Sequence, residues 1–305
     1  MSGSPGPDDL ARALVGIGRR VRDRVRSGRS RLDAAVARTE GGDDIFAIDV
    51  RADEVLLAAL DELAAWPGEL VMEGFGEPLA VGGGGPWRYL VDPLDGTRPL
   101  LADKRSAWVL LGAGRRAETL EDLEVAVAIE VPTSRADLAR VVAVVDGRFV
   151  VCEDDDLRGG DARAAHLRPL DVDDPTHTFV TVVRFAPGHH ERIGAWQDAH
   201  LDGLVTFDDL VPCTAGQMMG LATGADAAVF DPRPLLAPGS MAAHPYDAVA
   251  MHIARAAGAI VEALPSGPMD YPLDLTTPVA WAGYANAALA ERLRPHGPIA
   301  PAPSD

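Results

Sequence analysis

Trp87-Arg88-Tyr89-Leu90-Val91-Asp92-Pro93-Leu94-Asp95-Gly96-Thr97 begins as an apolar, β-prone run and ends in two aspartates, a glycine and a hydroxyl. Aromatic and β-branched residues suit a buried strand, and this one delivers Asp92 and Asp95 together at its end. Closely spaced carboxylates there suit a hard divalent cation, which takes oxygen ligands. Gly96 carries no side chain to keep an anion from the N–H groups of the turn. Metal and phosphate are therefore expected to meet at this turn.

Upstream, residues 69–73 read as a short buried strand ending in Glu73. The glycine-rich segment 81–86 is read as a mobile loop rather than a phosphate loop, because no Gly-Lys-Ser/Thr follows and no helix opens behind it. It allows the Glu73 strand and the Trp87 strand to lie side by side with their acidic ends converging. Further back, residues 50–65 read as a helix with Asp49 at the N-cap position. Leu10, Leu14, Ile17, Val21 and Val25 recur at helical spacing, interrupted by Gly16 and Gly18. Arg19, Arg20, Arg22, Arg24, Arg26, Arg29 and Arg31 occupy the polar positions, read as a solvated face.

Downstream, Pro99 suits the first turn of a short helix, which places Gly96 and Thr97 near its N-terminus. Strands are expected at 107–112, 124–131 and 138–145, with a hairpin turn at Asp146-Gly147 and a return over 148–152. The acidic stretch 153–156, followed by Gly159-Gly160, reads as an exposed link, dividing the chain into 1–157 and 158–305. The second half alternates strand and helix: a strand at 178–185, a helix carrying Trp196, a helix at 215–222 and a strand at 227–230. Asp247 stands at the N-cap position of a helix over 248–258, and residues 298–305 form a polar tail.

With 47% hydrophobic and 24% charged residues among 305, the chain has the composition of a soluble globular protein. Its formal net charge of -18 repels a phosphate backbone, so no nucleic-acid partner is expected. Cys152 and Cys213 are far apart and are expected as free thiols. There is no run of about 18 apolar residues and no secretory pattern at the N-terminus, so no membrane partner and a cytoplasmic location are expected.

Asp92-Pro93-Leu94-Asp95-Gly96-Thr97 resembles the Asp-Pro-[Ile/Leu/Val]-Asp-Gly-Thr motif of the inositol monophosphatase family, whose relatives include fructose-bisphosphatases and adenosine bisphosphate phosphatases. His244-Pro245-Tyr246-Asp247-Ala248-Val249-Ala250 is similar to the family's second signature, with Tyr246 where tryptophan is usual. Glu73 matches the strand-end glutamate, with Gly74 in place of a second one, and Asp49 matches the aspartate before the second helix. The resemblance spans about residues 10 to 290.

It implies a layered αβαβα sandwich: a mostly antiparallel α+β half, then an α/β half. It also implies Mg²⁺-dependent, lithium-sensitive hydrolysis of a small phosphate monoester in a cytoplasmic homodimer. Two or three Mg²⁺ per site are implied, with Mn²⁺ as a substitute. Glu73, Asp92 and the Leu94 carbonyl would hold one ion; Asp92, Asp95 and Asp247 would hold a second. Thr97 with Asp49 would activate water, helped by Glu73, and the N–H groups of Gly96 and Thr97 would cradle the phosphate, with Arg98 beside them.

The stretch before Asp247, residues 238–243, lacks the family's sugar-binding glutamate, which points away from inositol itself toward another sugar or polyol phosphate. Lys104 and Arg105 are candidate contacts for a second anionic group, as in a bisphosphate substrate. A metal-dependent phosphosugar-binding protein without turnover is the non-enzymatic alternative.

Overall fold

The computed structural model describes residues 5–27, 34–40, 43–211 and 213–295. Arg29, Arg31 and the tail at 298–305 lie outside these residues. The first half contains α1 (Pro7–Ser27), the β1 (Val36–Glu40) and β2 (Asp43–Phe46) hairpin, and α2 (Ala47–Ala59). A sheet follows, built from β3 (Gly68–Met72), β4 (Leu79–Val81), β5 (Trp87–Asp95), β6 (Ala107–Arg115), β7 (Val125–Val131), β8 (Leu138–Val145), β9 (Arg148–Asp156) and β10 (Arg163–Ala164), with the short α3 (Thr97–Leu101) after β5. Its order is β10-β9-β8-β7-β6-β5-β3-β4, antiparallel except where β3 runs parallel to β5.

The second half supplies β11 (Val180–Val183), α4 (His190–His200), β12 (Thr206–Asp209), α5 (Thr214–Thr223), β13 (Ala228–Asp231), α6 (Arg233–Leu236), α7 (Met251–Ala257), β14 (Ile260–Ala263), β15 (Trp281–Tyr284) and α8 (Ala287–Leu293). Its sheet has the order β12-β11-β13-β15-β14, parallel over the first three strands and antiparallel over the rest.

Alternation along the strands builds the layers. In β6, Val109, Leu111 and Ala113 enter a core closed by Leu10, Leu14, Ile17 and Val21 of α1, while Trp108 and Leu110 enter a second core with α5 and α7. The second sheet gives Val183, Val229 and Trp281 to that middle core and Val182, Phe230 and Tyr284 to a third, shared with Ile193 and Trp196 of α4 and Leu289 of α8. Helix, sheet, helix, sheet, helix is the αβαβα sandwich expected. Strands buried on both faces read as continuous hydrophobic runs.

Several local readings are corrected. Residues 153–156 are not a link but the end of β9, because arginines meet their charges: Arg19 binds Asp155 through two nitrogens (2.7 and 2.9 Å), Arg22 binds it at 2.6 Å, and Arg140 binds Asp154. Arg22 is therefore buried rather than solvated. The helix expected at 50–65 starts at Ala47 and tightens into a 3₁₀ turn over Leu60–Leu63. The edge strand β12 has no counterpart in the sequence reading.

Candidate active site

The parallel pairing of β3 with β5 sets Met72 opposite Val91, and the Glu73 N–H donates to the Val91 carbonyl (3.1 Å). Glu73 is thereby brought beside Asp92. Three residues apart on a regular strand, Asp92 and Asp95 would face opposite ways. Against β6, however, Asp92 pairs with Leu110 and Asp95 with Trp108, so β5 carries one extra residue. This bulge turns both carboxylates to the middle core, and Pro93, which has no N–H to leave unpaired, sits within it. The Leu94 N–H donates to Asp92 Oδ1 (2.8 Å), closing the bulge.

Gly96 then turns the chain with φ +92, and a Cβ there would stand 2.9 Å from Cys213 Sγ, so glycine is required twice over. Thr97 Oγ1 lies 2.7 Å from Asp49 Oδ1 and 2.8 Å from the Leu94 carbonyl, which thus has a second lone pair to offer. Asp49 and Asp247 are not N-caps. Each sits three residues past the cap and takes its N–H, from Phe46 (2.7 Å) and His244 (2.6 Å) respectively. The other oxygen of Asp49 accepts from Thr97 Oγ1, and both carboxylates line the cleft. Asp95 instead accepts from a distant segment, the Ala215 N–H (2.6 Å) at the start of α5.

Oxygens of Asp92, Asp95 and Asp247 lie within 4.8 Å of one another. They line a cleft of about 110 Å³ together with Asp49, Glu73, Leu94, Gly96, Thr97, Arg98, Arg233, Met241, Ala242, Ala243 and His244. Burial, then the charges of Glu73, Asp247 and Asp95, push Asp92 well above the ordinary carboxylate range. Burial also pushes Asp95 up to about 6, opposed by the Ala215 N–H. Asp49 rises to about 6 by burial, opposed by its bonds from Thr97 and Phe46. Oxygen-only donors, with Asp92 and Asp95 buried, fit a hard divalent cation.

Lys104 and Arg105 are not in the cleft. Arg105 is held by Asp209 (2.7 Å) and the Val211 carbonyl (2.6 Å), lining a separate cavity with Ser106 and Arg140, and Lys104 is exposed beyond α3. Arg98 does line the cleft, with its guanidinium over the Phe46 ring. Gly74 has φ +78, a conformation that a glutamate there would adopt only under strain. Cys213, buried against Asp95, and Arg233 were missed; for Arg233 the signal was a charged pair, Asp231 and Arg233, straight after an apolar strand.

Among solved structures, fructose-1,6-bisphosphatase of Leishmania major is 14% identical, with TM-score 0.69 over 93% of each chain. The fold is that of inositol monophosphatases and fructose-1,6-bisphosphatases. A Pyrococcus horikoshii protein described as having similarities to inositol-1 monophosphatase shares this inositol monophosphatase fold at 18% identity and TM-score 0.64, over 94% of this chain and 97% of that one. Inositol monophosphatase from Anabaena matches at 16% identity and TM-score 0.61, over 93% and 94%. No protein-family model and no curated protein matches the sequence. Among the described residues, no helix is long and apolar enough to cross a membrane.

Proposed function

We propose that the protein is a divalent-metal-dependent phosphomonoesterase acting on a small phosphorylated metabolite. The observation that carries this is the convergence of Asp92, Asp95 and Asp247, from opposite halves of the chain, beside the hydrogen-bonded Thr97 and Asp49. Glu73, Asp92 and the Leu94 carbonyl would hold one ion, and Asp92, Asp95 and Asp247 a second, with Mg²⁺ as the ion. Bound divalent cations neutralise phosphoryl oxygens and lower the pKa of water.

The remaining work falls to the chain. The N–H groups of Gly96 and Thr97 hold two phosphoryl oxygens, with Arg98 at the rim. Thr97 Oγ1 orients the attacking water and passes its proton to Asp49, whose buried carboxylate, near 6, is suited to accept it at neutral pH. The water oxygen bonds to phosphorus, the ester P–O bond breaks, and its electron pair leaves on the alkoxide, which takes a proton from solvent. Position and charge account for most catalysis in such transfers.

A panel of phosphate esters with Mg²⁺ tests this by phosphate release, with Asp92→Asn as control. No release from any ester, or equal release by the control, overturns it. The intact Thr97 and Asp49 pair favours an enzyme over a binding protein without turnover.

A further inference from the structure

Asp231 ends β13 and Arg233 begins α6, and both are buried, at 0% and 2% exposure. Asp231 accepts from Arg233 Nε (2.7 Å) and Nη2 (2.6 Å), while Nη1 donates to the Met241 carbonyl (2.9 Å). A guanidinium has five N–H groups, and these bonds engage three. Arg233 lines the cleft and Asp231 does not, so the positive partner of the pair is the one at the cavity. Met241, Ala242 and Ala243 line the cleft with it, and so do five carboxylates, of which Asp247 lies close enough for its charge to act on Arg233. A buried ion pair is weak evidence for stability, because desolvation offsets the attraction. Its direction therefore calls for an account.

We infer that Arg233 selects the substrate: the site takes phosphate monoesters whose leaving group carries a second oxyanion, a carboxylate or phosphate, which the guanidinium fork binds. The inference rests on the phosphatase reading for its orientation of the ester. A planar fork matches carboxylate and phosphate oxygens in a way that a polyol hydroxyl does not. It replaces Lys104 and Arg105 as the anion contact. One charge-assisted bond pair of this kind is worth a preference of about 10- to 100-fold.

Two esters with one carbon skeleton separate the terms: 2-phosphoglycerate, with a carboxylate, and glycerol 2-phosphate, with a hydroxymethyl group. The ratio of their kcat/KM values is read in Mg²⁺, and the ratio of their Kd values by calorimetry on Asp49→Asn, which blocks proton acceptance while leaving the cation ligands in place. Both ratios are expected to favour 2-phosphoglycerate by about tenfold or more and to fall toward 1 when Asp231→Asn is combined with Arg233→Gln. The double change avoids leaving Asp231 buried and unpaired, and circular dichroism checks its folding. Equal handling of the two esters by the unaltered site, or a preference that survives the double change in folded protein, overturns the inference even if both are hydrolysed. If neither ester nor any other is hydrolysed but the binding preference and its loss are found, the inference stands and the phosphatase reading falls. Should the double variant not fold, Arg233→Lys, which keeps the charge and loses the fork, is expected to cut the preference severalfold; an unchanged preference overturns the inference.

Discussion

Thr97 has one hydroxyl proton and two acceptors within 2.8 Å, Asp49 Oδ1 and the Leu94 carbonyl. Thr97→Val keeps the shape and removes the relay. We expect kcat to fall by about 10²- to 10³-fold with Mg²⁺ affinity within about threefold, read by steady-state kinetics and calorimetry. The raised carboxylates set a pH dependence of stability. Asp49 and Asp95 have folded values of about 6 against an ordinary 3.8, so between these limits the folded state binds more protons than the unfolded chain. Stability therefore falls as pH rises through that window and levels off above it. In chelator the melting temperature is expected to rise on acidification from pH 7 to about 5, before Glu121, held below its usual range by its hydrogen bonds from Arg255, loses its charge. Saturating Mg²⁺ should flatten this slope, because cation and proton compete; a flat profile in chelator counts against the charge cluster.

At the scale of elements, α1 shows what two glycines in one helix do. A Cβ on Gly18 would stand 2.6 Å from Ile129 Cγ1 and 3.2 Å from Leu111 Cδ1, whereas one on Gly16 meets only Arg20 Nη1 at 4.0 Å. Alanine gains about 0.5–1 kcal/mol over glycine in a helix interior. Overpacking a filled core costs about 1–3 kcal/mol. Gly16→Ala should thus stabilise and Gly18→Ala destabilise, by urea denaturation; the same sign for both would contradict the packing. The strand read at 87–91, which the structure extends to Asp95, and the pairing of β3 with β5 were legible because apolar runs there ended in punctuating acids and glycines. Residues 153–156 were not, since acids disfavour strands unless distant arginines, here Arg19 and Arg140, answer them. Nor was β12, four residues with one apolar side chain, Phe207, and no periodicity to read.

Across the whole molecule, Asp92 and Asp95 belong to the first sheet while Asp247 arrives from the second half, so a bound cation joins the two. At 100 times Kd, Mg²⁺ should add about 2.7 kcal/mol, raising the melting temperature by roughly 4 °C in one transition. Asp247→Asn should remove most of that shift, measured by calorimetry with and without chelator. The resemblance of the two motifs pointed to Asp92, Asp95 and Asp247, which the structure brings together. It did not foretell Arg233, whose place in the cleft depends on how the chain between β13 and Asp247 folds back to bring the Met241 carbonyl to it.

The backbone N–H groups that hold one oxygen each of Asp92, Asp95 and Asp247 also bear on ion selectivity. Carboxylates already fixed lose little conformational entropy when an ion arrives. They also cannot spread. Ca²⁺ asks for about six to eight oxygens at about 2.3–2.6 Å, whereas Mg²⁺ accepts an octahedron at about 2.0–2.1 Å completed by water. Under the proposed function, a cage tethered to three separate stretches of backbone would discriminate by its stiffness, favouring the smaller ion.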